Sequence, residues 1–176
     1  MRLDHIAYRV SDREAAVKYF NIFLGYIIDP AIPIGFDIQF EDNTFAKCYV
    51  LKPPESQSTT TGRIAYGYLG AEWHAPPEIF VSDGSENSIV ADWVAKNGPG
   101  IHHLAYEVDS VEETMKEWNK MGLEFTTNKP LKCPGLVQAF TLPNSVTGII
   151  YEVIERTTQG FCRDNVKDLM KSTVKD

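Results

Sequence analysis

His5-Ile-Ala-Tyr-Arg-Val10 and His103-Leu-Ala-Tyr-Glu-Val108 are nearly the same six residues written twice. Each run alternates apolar and polar positions as a half-buried strand does. Each is followed by a helix start, Ser11-Asp-Arg-Glu14 in the first case and Asp109-Ser-Val-Glu112 in the second, and each helix stops at a glycine, Gly25 or Gly122. A repeat of this length means one structural unit used twice. Two copies of a histidine-bearing strand can bring two ligands to one centre.

Working outward, the first strand covers about residues 2–10 and the first helix runs from Ser11 to Leu24, with Ser11 and Glu14 as a capping box. Ala15, Val17, Phe20, Phe23 and Leu24 form its apolar stripe, and Gly25 ends it as a left-handed cap would. Extended segments follow at 26–28, 36–40, 48–51, 63–69 and 78–81, punctuated by Pro and Gly. The run 53–62 is polar and aperiodic and reads as a surface loop. Residues 85–97 read as a connecting helix. Strand and helix then recur at 101–108 and 109–121, followed by strands through Phe125, 136–141 and 148–155, and a last helix over 163–174. The fold class is therefore α+β, with two tandem βαβββ modules forming a curved mixed sheet around a trough. The expected bounds are a first module at 1–84 with an insertion at about 31–62, a connecting helix at 85–100, a second module at 101–156 and a C-terminal helix at 157–176.

The chain has 176 residues, a formal net charge of −7, 43% apolar and 23% charged residues, ordinary values for a soluble domain. No Lys/Arg run stands out, so neither nucleic acid nor an anionic membrane surface is an expected partner. Cys48, Cys133 and Cys162 are odd in number and lack a CxxC spacing, which reads as three reduced thiols. With no signal-peptide h-region and no spanning apolar stretch, a cytoplasmic location is expected.

Strand alternation sorts the polar residues by face. If His5 points into the trough, so do Ala7 and Arg9. By the same parity His103, Ala105 and Glu107 point together and His102 points away. Glu152 falls on the last strand of the second module, and Glu78 is its expected counterpart in the first. The candidate metal ligands are thus His5, Glu78, His103 and Glu152, with Glu72 or His74 as substitutes for Glu78. Two imidazoles and two carboxylates suit one divalent cation, whether Fe, Mn, Co, Ni, Zn or Mg. Glu152, Glu78 and Glu107 are the candidate proton-transfer carboxylates. Arg9 is the candidate holder of an anionic substrate group, or else a partner of Glu107.

These residues resemble the vicinal-oxygen-chelate superfamily, which includes glyoxalase I, methylmalonyl-CoA epimerase, extradiol dioxygenases, 4-hydroxyphenylpyruvate dioxygenase and the bleomycin-resistance proteins. The run Ile89-Val-Ala-Asp-Trp, followed by Gly100-Ile-His-His-Leu-Ala-Tyr-Glu-Val-Asp, is most similar to methylmalonyl-CoA epimerase. The end of the chain, through Phe140-Thr-Leu-Pro, Tyr151-Glu-Val-Ile-Glu-Arg and Gly160-Phe-Cys-Arg-Asp-Asn, resembles 4-hydroxyphenylpyruvate dioxygenase. The resemblance implies a metal held at His5, His103 and Glu152 with a fourth ligand near Glu78, a small substrate chelated through two vicinal oxygens, and a homodimer. It leaves three chemistries: epimerase- or glyoxalase-like isomerisation or lyase-type proton transfer beside a chelated carbonyl, an Fe(II) dioxygenase, and metal-free ligand sequestration. A fourth ligand would crowd a dioxygenase, so four ligands favour proton transfer.

Overall fold

A computed structural model describes residues 1–54, 76–158 and 160–174. In chain order its elements are β1 (Arg2–Arg9), α1 (Arg13–Leu24), β2 (Ile27–Ile28), β3 (Phe36–Gln39), β4 (Phe45–Lys52), β5 (Glu78–Gly84), α2 (Ile89–Asn97), β6 (Gly100–Glu107), α3 (Val111–Lys120), β7 (Leu131–Cys133), β8 (Leu136–Phe140), β9 (Ile150–Arg156) and α4 (Arg163–Ser172). The helix ends follow local chemistry. Asp12, rather than Ser11, caps α1, because its carboxylate sits three residues before Ala15 and accepts that N–H at 3.0 Å. Glu14 does not complete a capping box and instead accepts from the Tyr49 hydroxyl at 3.0 Å. Gly25, at φ 72°, supplies the left-handed turn that closes α1.

The strands form one mixed sheet in the order β2-β4-β5-β1-β6-β9-β8-β7, with β3 also paired to β4. The sheet is curved and unclosed, and its symmetry is the repeat seen in sequence. β1 and β6 lie antiparallel at its centre, β1 runs parallel to β5, and β6 runs parallel to β9. In the first module the strand beside β4 is split. β2 pairs with Leu51–Lys52 and β3 with Phe45–Cys48. The connection from β4 to β5 spans 53–77, whereas its counterpart from β8 to β9 spans only 141–149. The extra length expected in the first module therefore falls largely here. The extended segment expected at 63–69 lies outside the described residues, as do Glu72 and His74.

Alternation along the strands divides the core. Ile79 and Val81 of β5 face α1 and join Phe20, Tyr26 and Leu51, while α3 packs Val111 and Met115 on Ala139 and Val153. On the opposite, concave face Ala7, Phe36, Val50 and Phe80 meet Val166 and Met170 of α4. Removing side chains of this size from water stabilises the fold by about 1.5–3 kcal/mol each. Helices α1 and α3 thus back the sheet, and α4 lies across the trough.

Two irregularities interrupt the central β1–β6 ladder. The register passes from Leu3↔Tyr106 to His5↔Ala105, skipping Asp4, and from Ala7↔His103 to Tyr8↔Ile101, skipping His102. Each skipped residue directly precedes a repeated histidine. A bulge of this kind re-aims the side chain of the extra residue. It is the reason that the simple parity expected for His102 fails.

The expectation of three reduced thiols is also corrected. Cys133 at the end of β7 and Cys162 at the start of α4 are disulfide-bonded, and Cys48 alone is free and buried. The two half-cystines stand 29 residues apart and carry no spacing signature that a sequence could reveal. Among the described residues no helix is long and apolar enough to cross a membrane.

Candidate metal centre

His5, His103 and Glu152 come together at the middle of the concave face, one on each of β1, β6 and β9. One nitrogen or oxygen from each lies within 4.8 Å of the others. His5 Nε2 is 3.3 Å and His103 Nε2 3.2 Å from the same carboxylate oxygen, Glu152 Oε2. All three side chains are buried, Glu152 with 1% of its surface exposed. A carboxylate so far from water needs compensating partners. Burial raises its pKa, but the neighbouring His5 charge and the hydrogen bonds from both histidines overcome this and hold it below the usual carboxylate range. For His5, burial opposes the charged form, yet Glu152 and Asp4 together push the pKa up to about 9. Burial draws His103 down instead.

The surroundings orient these groups. Asp4 Oδ1 is 2.8 Å from His5 Nδ1 and accepts from Arg156 Nη2 at 2.6 Å. A carboxylate on the far nitrogen of an imidazole leaves Nε2 with its lone pair toward a cation, the usual support of a metal-binding histidine. Glu152 Oε1 accepts from the Gln138 amide at 2.6 Å, and Gln138 in turn accepts from Asn165 Nδ2 at 3.0 Å, which ties α4 to the centre. Two imidazoles and a carboxylate converging on one point, each supported behind, fit a divalent cation of borderline character.

The structure separates the remaining candidates. Glu78, expected as the fourth ligand, is the register partner of His5, not of the residue two further on. In the second module Glu152 pairs with Ala105, two residues beyond His103. The first-module equivalent of Ala105 is Ala7, and its partner is Phe80. Glu78 is therefore one full strand repeat too early. Its carboxylate contacts Lys52 Nζ, which also reaches Asp29 at 3.5 Å, in a separate cleft that includes Arg2 and Pro76. Glu107, expected as a proton-transfer group, accepts from Arg2 Nε at 3.0 Å near the strand end and does not line the trough.

Arg9 does line the trough. It is 3% exposed, reaches Thr173 Oγ1 at 3.4 Å, and lies over the Trp93 ring at 5.8 Å. It does not pair with Glu107. Burial lowers its pKa to about 9, which leaves it charged at neutral pH. His102 was expected to point away, but its bulge turns it to the same cavity, with Nδ1 2.8 Å from His103 Nδ1. The cavity has a free volume of about 30 Å³, room for one or two waters. Phe80, Phe140 and Phe161 give it apolar walls, and Val166, Leu169 and Met170 of α4 line its other side. Gln138 could have been found in the sequence as a polar residue on the inward parity of an otherwise apolar strand. Phe80 could not, because its meaning depends on register.

The sequence matches the family model of the Glyoxalase/Bleomycin resistance protein/Dioxygenase superfamily over residues 4–133, and the chain belongs to that superfamily. No curated protein matches it in sequence. Among solved structures it is similar to methylmalonyl-CoA epimerase from Mycobacterium tuberculosis, with 19% identity, 89% of each chain covered and a TM-score of 0.62. A Streptomyces coelicolor methylmalonyl-CoA epimerase variant in complex with 2-nitronate-propionyl-CoA has 17% identity, 90% of this chain and 99% of that one covered, and a TM-score of 0.57. A variant of 4-hydroxymandelate synthase from Streptomyces coelicolor has 15% identity and a TM-score of 0.74, with 97% of this chain but only 52% of that enzyme covered. These likenesses concern the fold. They join epimerases and a synthase on one architecture, so function must be argued from the site.

Proposed function

We propose that this chain is an Fe(II)-dependent oxygenase acting on a small 2-oxo acid, rather than an epimerase. The observation that carries the reading is Phe80. It occupies the first-module place of Glu152, so the described centre offers His5, His103 and Glu152 and no fourth carboxylate. Two histidines and one carboxylate form the facial set of non-haem iron oxygenases, in which the bound ferrous ion has three further positions for two vicinal substrate oxygens and O₂.

The chain's own residues have distinct parts. Glu152 stays ionised between two imidazoles. Asp4 and Gln138 fix the orientation of His5 and Glu152, so little reorganisation is needed on binding. Arg9 stands ready for an anionic substrate group from within the apolar wall. Phe80, Phe140 and Phe161 keep water from the reacting end.

Proton transfer is the second reading, supported by the epimerase likeness in fold. It needs a carboxylate free to accept an α-proton. Among the described residues lining the cavity, Glu152 is the one carboxylate, and both histidines already face it. The deciding experiment reconstitutes the protein with Fe(II) and follows O₂ uptake with a panel of 2-oxo acids, alongside deuterium exchange at the α-carbon of acyl-CoA thioesters. Substrate-dependent O₂ uptake without exchange supports the oxygenase. Exchange without O₂ uptake overturns it.

A further inference from the structure

His102 sits at a bulge opposite Ala7–Tyr8, between the levels of His5 and Arg9 on β1. The strand rise of about 3.3 Å per residue puts the His5 and Arg9 backbones about 13 Å apart, with His102 between them. The ring is 4% exposed. Its Nδ1 meets His103 Nδ1, and one of the two must donate. If His103 keeps the Nε2 lone pair toward a cation, its Nδ1–H donates to His102. His102 then carries its proton on Nε2, and that nitrogen is buried with no partner among the described residues. An unpaired buried donor is costly. Trp93 joins the two ends, with its ring 5.4 Å from His102 and under the Arg9 guanidinium. Among the described residues Arg9 has one long hydrogen bond and no carboxylate against it. Two buried donors with spare capacity therefore share one wall of the cavity.

We infer that His102 and Arg9 form a carboxylate-binding subsite, in which His102 Nε2–H and the Arg9 guanidinium hold a substrate carboxylate remote from the chelating oxygens. This rests on the oxygenase reading and narrows it: the substrate is a 2-oxo acid with a second, distal carboxylate. A carboxylate matches a guanidinium fork and an imidazole N–H together, and its charge offsets that of buried Arg9. His102 also links substrate and centre, since the same ring accepts from His103 and donates to the ligand.

The test measures binding to Co(II)-loaded protein, calorimetrically, of 2-oxo diacids of five and six carbons against the 2-oxo monoacids of the same lengths. Wild type should favour a diacid at least tenfold. Arg9→Met and His102→Leu should bring the ratio to within twofold. His102→Gln, which keeps an acceptor and a donor, should restore most of the preference. A wild-type ratio near one, or a His102→Leu protein that keeps the preference, overturns the subsite. Binding of pentanedioate, which has no 2-oxo group to chelate the ion, to Co(II)-loaded protein separates this from failure of the oxygenase reading. If pentanedioate binds in an Arg9- and His102-dependent way but Fe(II)-loaded protein takes up no O₂ with the 2-oxo diacids, the subsite stands and the oxygenase reading falls. If Co(II) and monoacids bind without diacid preference, the reverse holds.

Discussion

Phe80 stands in the first module where Glu152 stands in the second. The pseudo-twofold sheet would allow a carboxylate at both places, and the chain has placed an aromatic ring at one. Phe80 offers no oxygen or nitrogen there and sets an apolar wall beside the His5, His103 and Glu152 group. It predicts which single changes matter. His5→Ala, His103→Ala and Glu152→Ala should each lower divalent-metal affinity at least a hundredfold, while Glu78→Ala should leave stoichiometry and affinity unchanged. Metal analysis after gel filtration checks this, and loss of metal in the Glu78→Ala protein would overturn the three-ligand assignment.

Phe80→Glu should rebuild the missing fourth ligand. Without metal, an uncompensated carboxylate at a position 5% exposed should cost on the order of 3 kcal/mol. A bound cation offsets that cost, so Mn(II) should raise the Tm of the variant more than that of wild type. Oxygen uptake should fall at least tenfold as an open position is lost. An equal Mn(II)-induced rise in both proteins would show that position 80 does not face the cation.

The metal-free protein should lose stability as pH rises from 7 to 9. The His5 pKa is raised from its unfolded value near 6.5 to about 9. The stability this contributes is complete below about pH 6.5 and disappears as pH climbs through 9. Glu152, held low, works in the opposite direction. Its contribution is present above the ordinary Glu range and fades only in acid. A cation must displace the His5 proton, so binding at pH 7–8 should release about one proton and tighten about tenfold per pH unit up to 9. Calorimetry in buffers of different ionisation enthalpy reads the released proton directly. No release at pH 7.5 would contradict the buried His5–Glu152 pair.

The repeat was legible in sequence because it is local: six residues recur, and the caps and glycines after them recur too. The repeat and strand parity put His5, His103 and Glu152 forward as candidate ligands, and the structure brings the three together. Glu78 was misplaced because parity identifies a face but not a register, and Glu78 and Phe80 share parity on β5. Only the parallel pairing of β1 with β5 tells them apart. His102 failed for a related reason. A bulge breaks the period of two, and no residue type in Gly100-Ile-His-His announces it. The pairing of Cys133 with Cys162 is a contact between a strand end and a distant helix start, which neither composition nor spacing encodes.

Gln138 joins the covering helix to the centre, and its removal should be felt at both. Its amide donates to Glu152 Oε1, and its carbonyl accepts from Asn165 in the first turn of α4. Gln138→Leu puts an apolar side chain of similar bulk in its place and leaves Asn165 Nδ2 a buried donor without its acceptor, a cost of about 1–3 kcal/mol. Because Asn165 belongs to α4, that cost should appear as local opening of the helix, with backbone amides of 163–172 exchanging at least fivefold faster while β1 and β6 are unchanged. Glu152 loses one of its supports, so metal affinity should drop about tenfold or more, in the range seen when an outer partner of a ligand is removed. Asp4→Asn, which weakens the support of His5 from the opposite side, should lower metal affinity similarly without loosening α4. Hydrogen exchange of the two variants side by side distinguishes the effects. Equal protection of α4 in both would mean that the Asn165–Gln138–Glu152 chain does not couple the helix to the site.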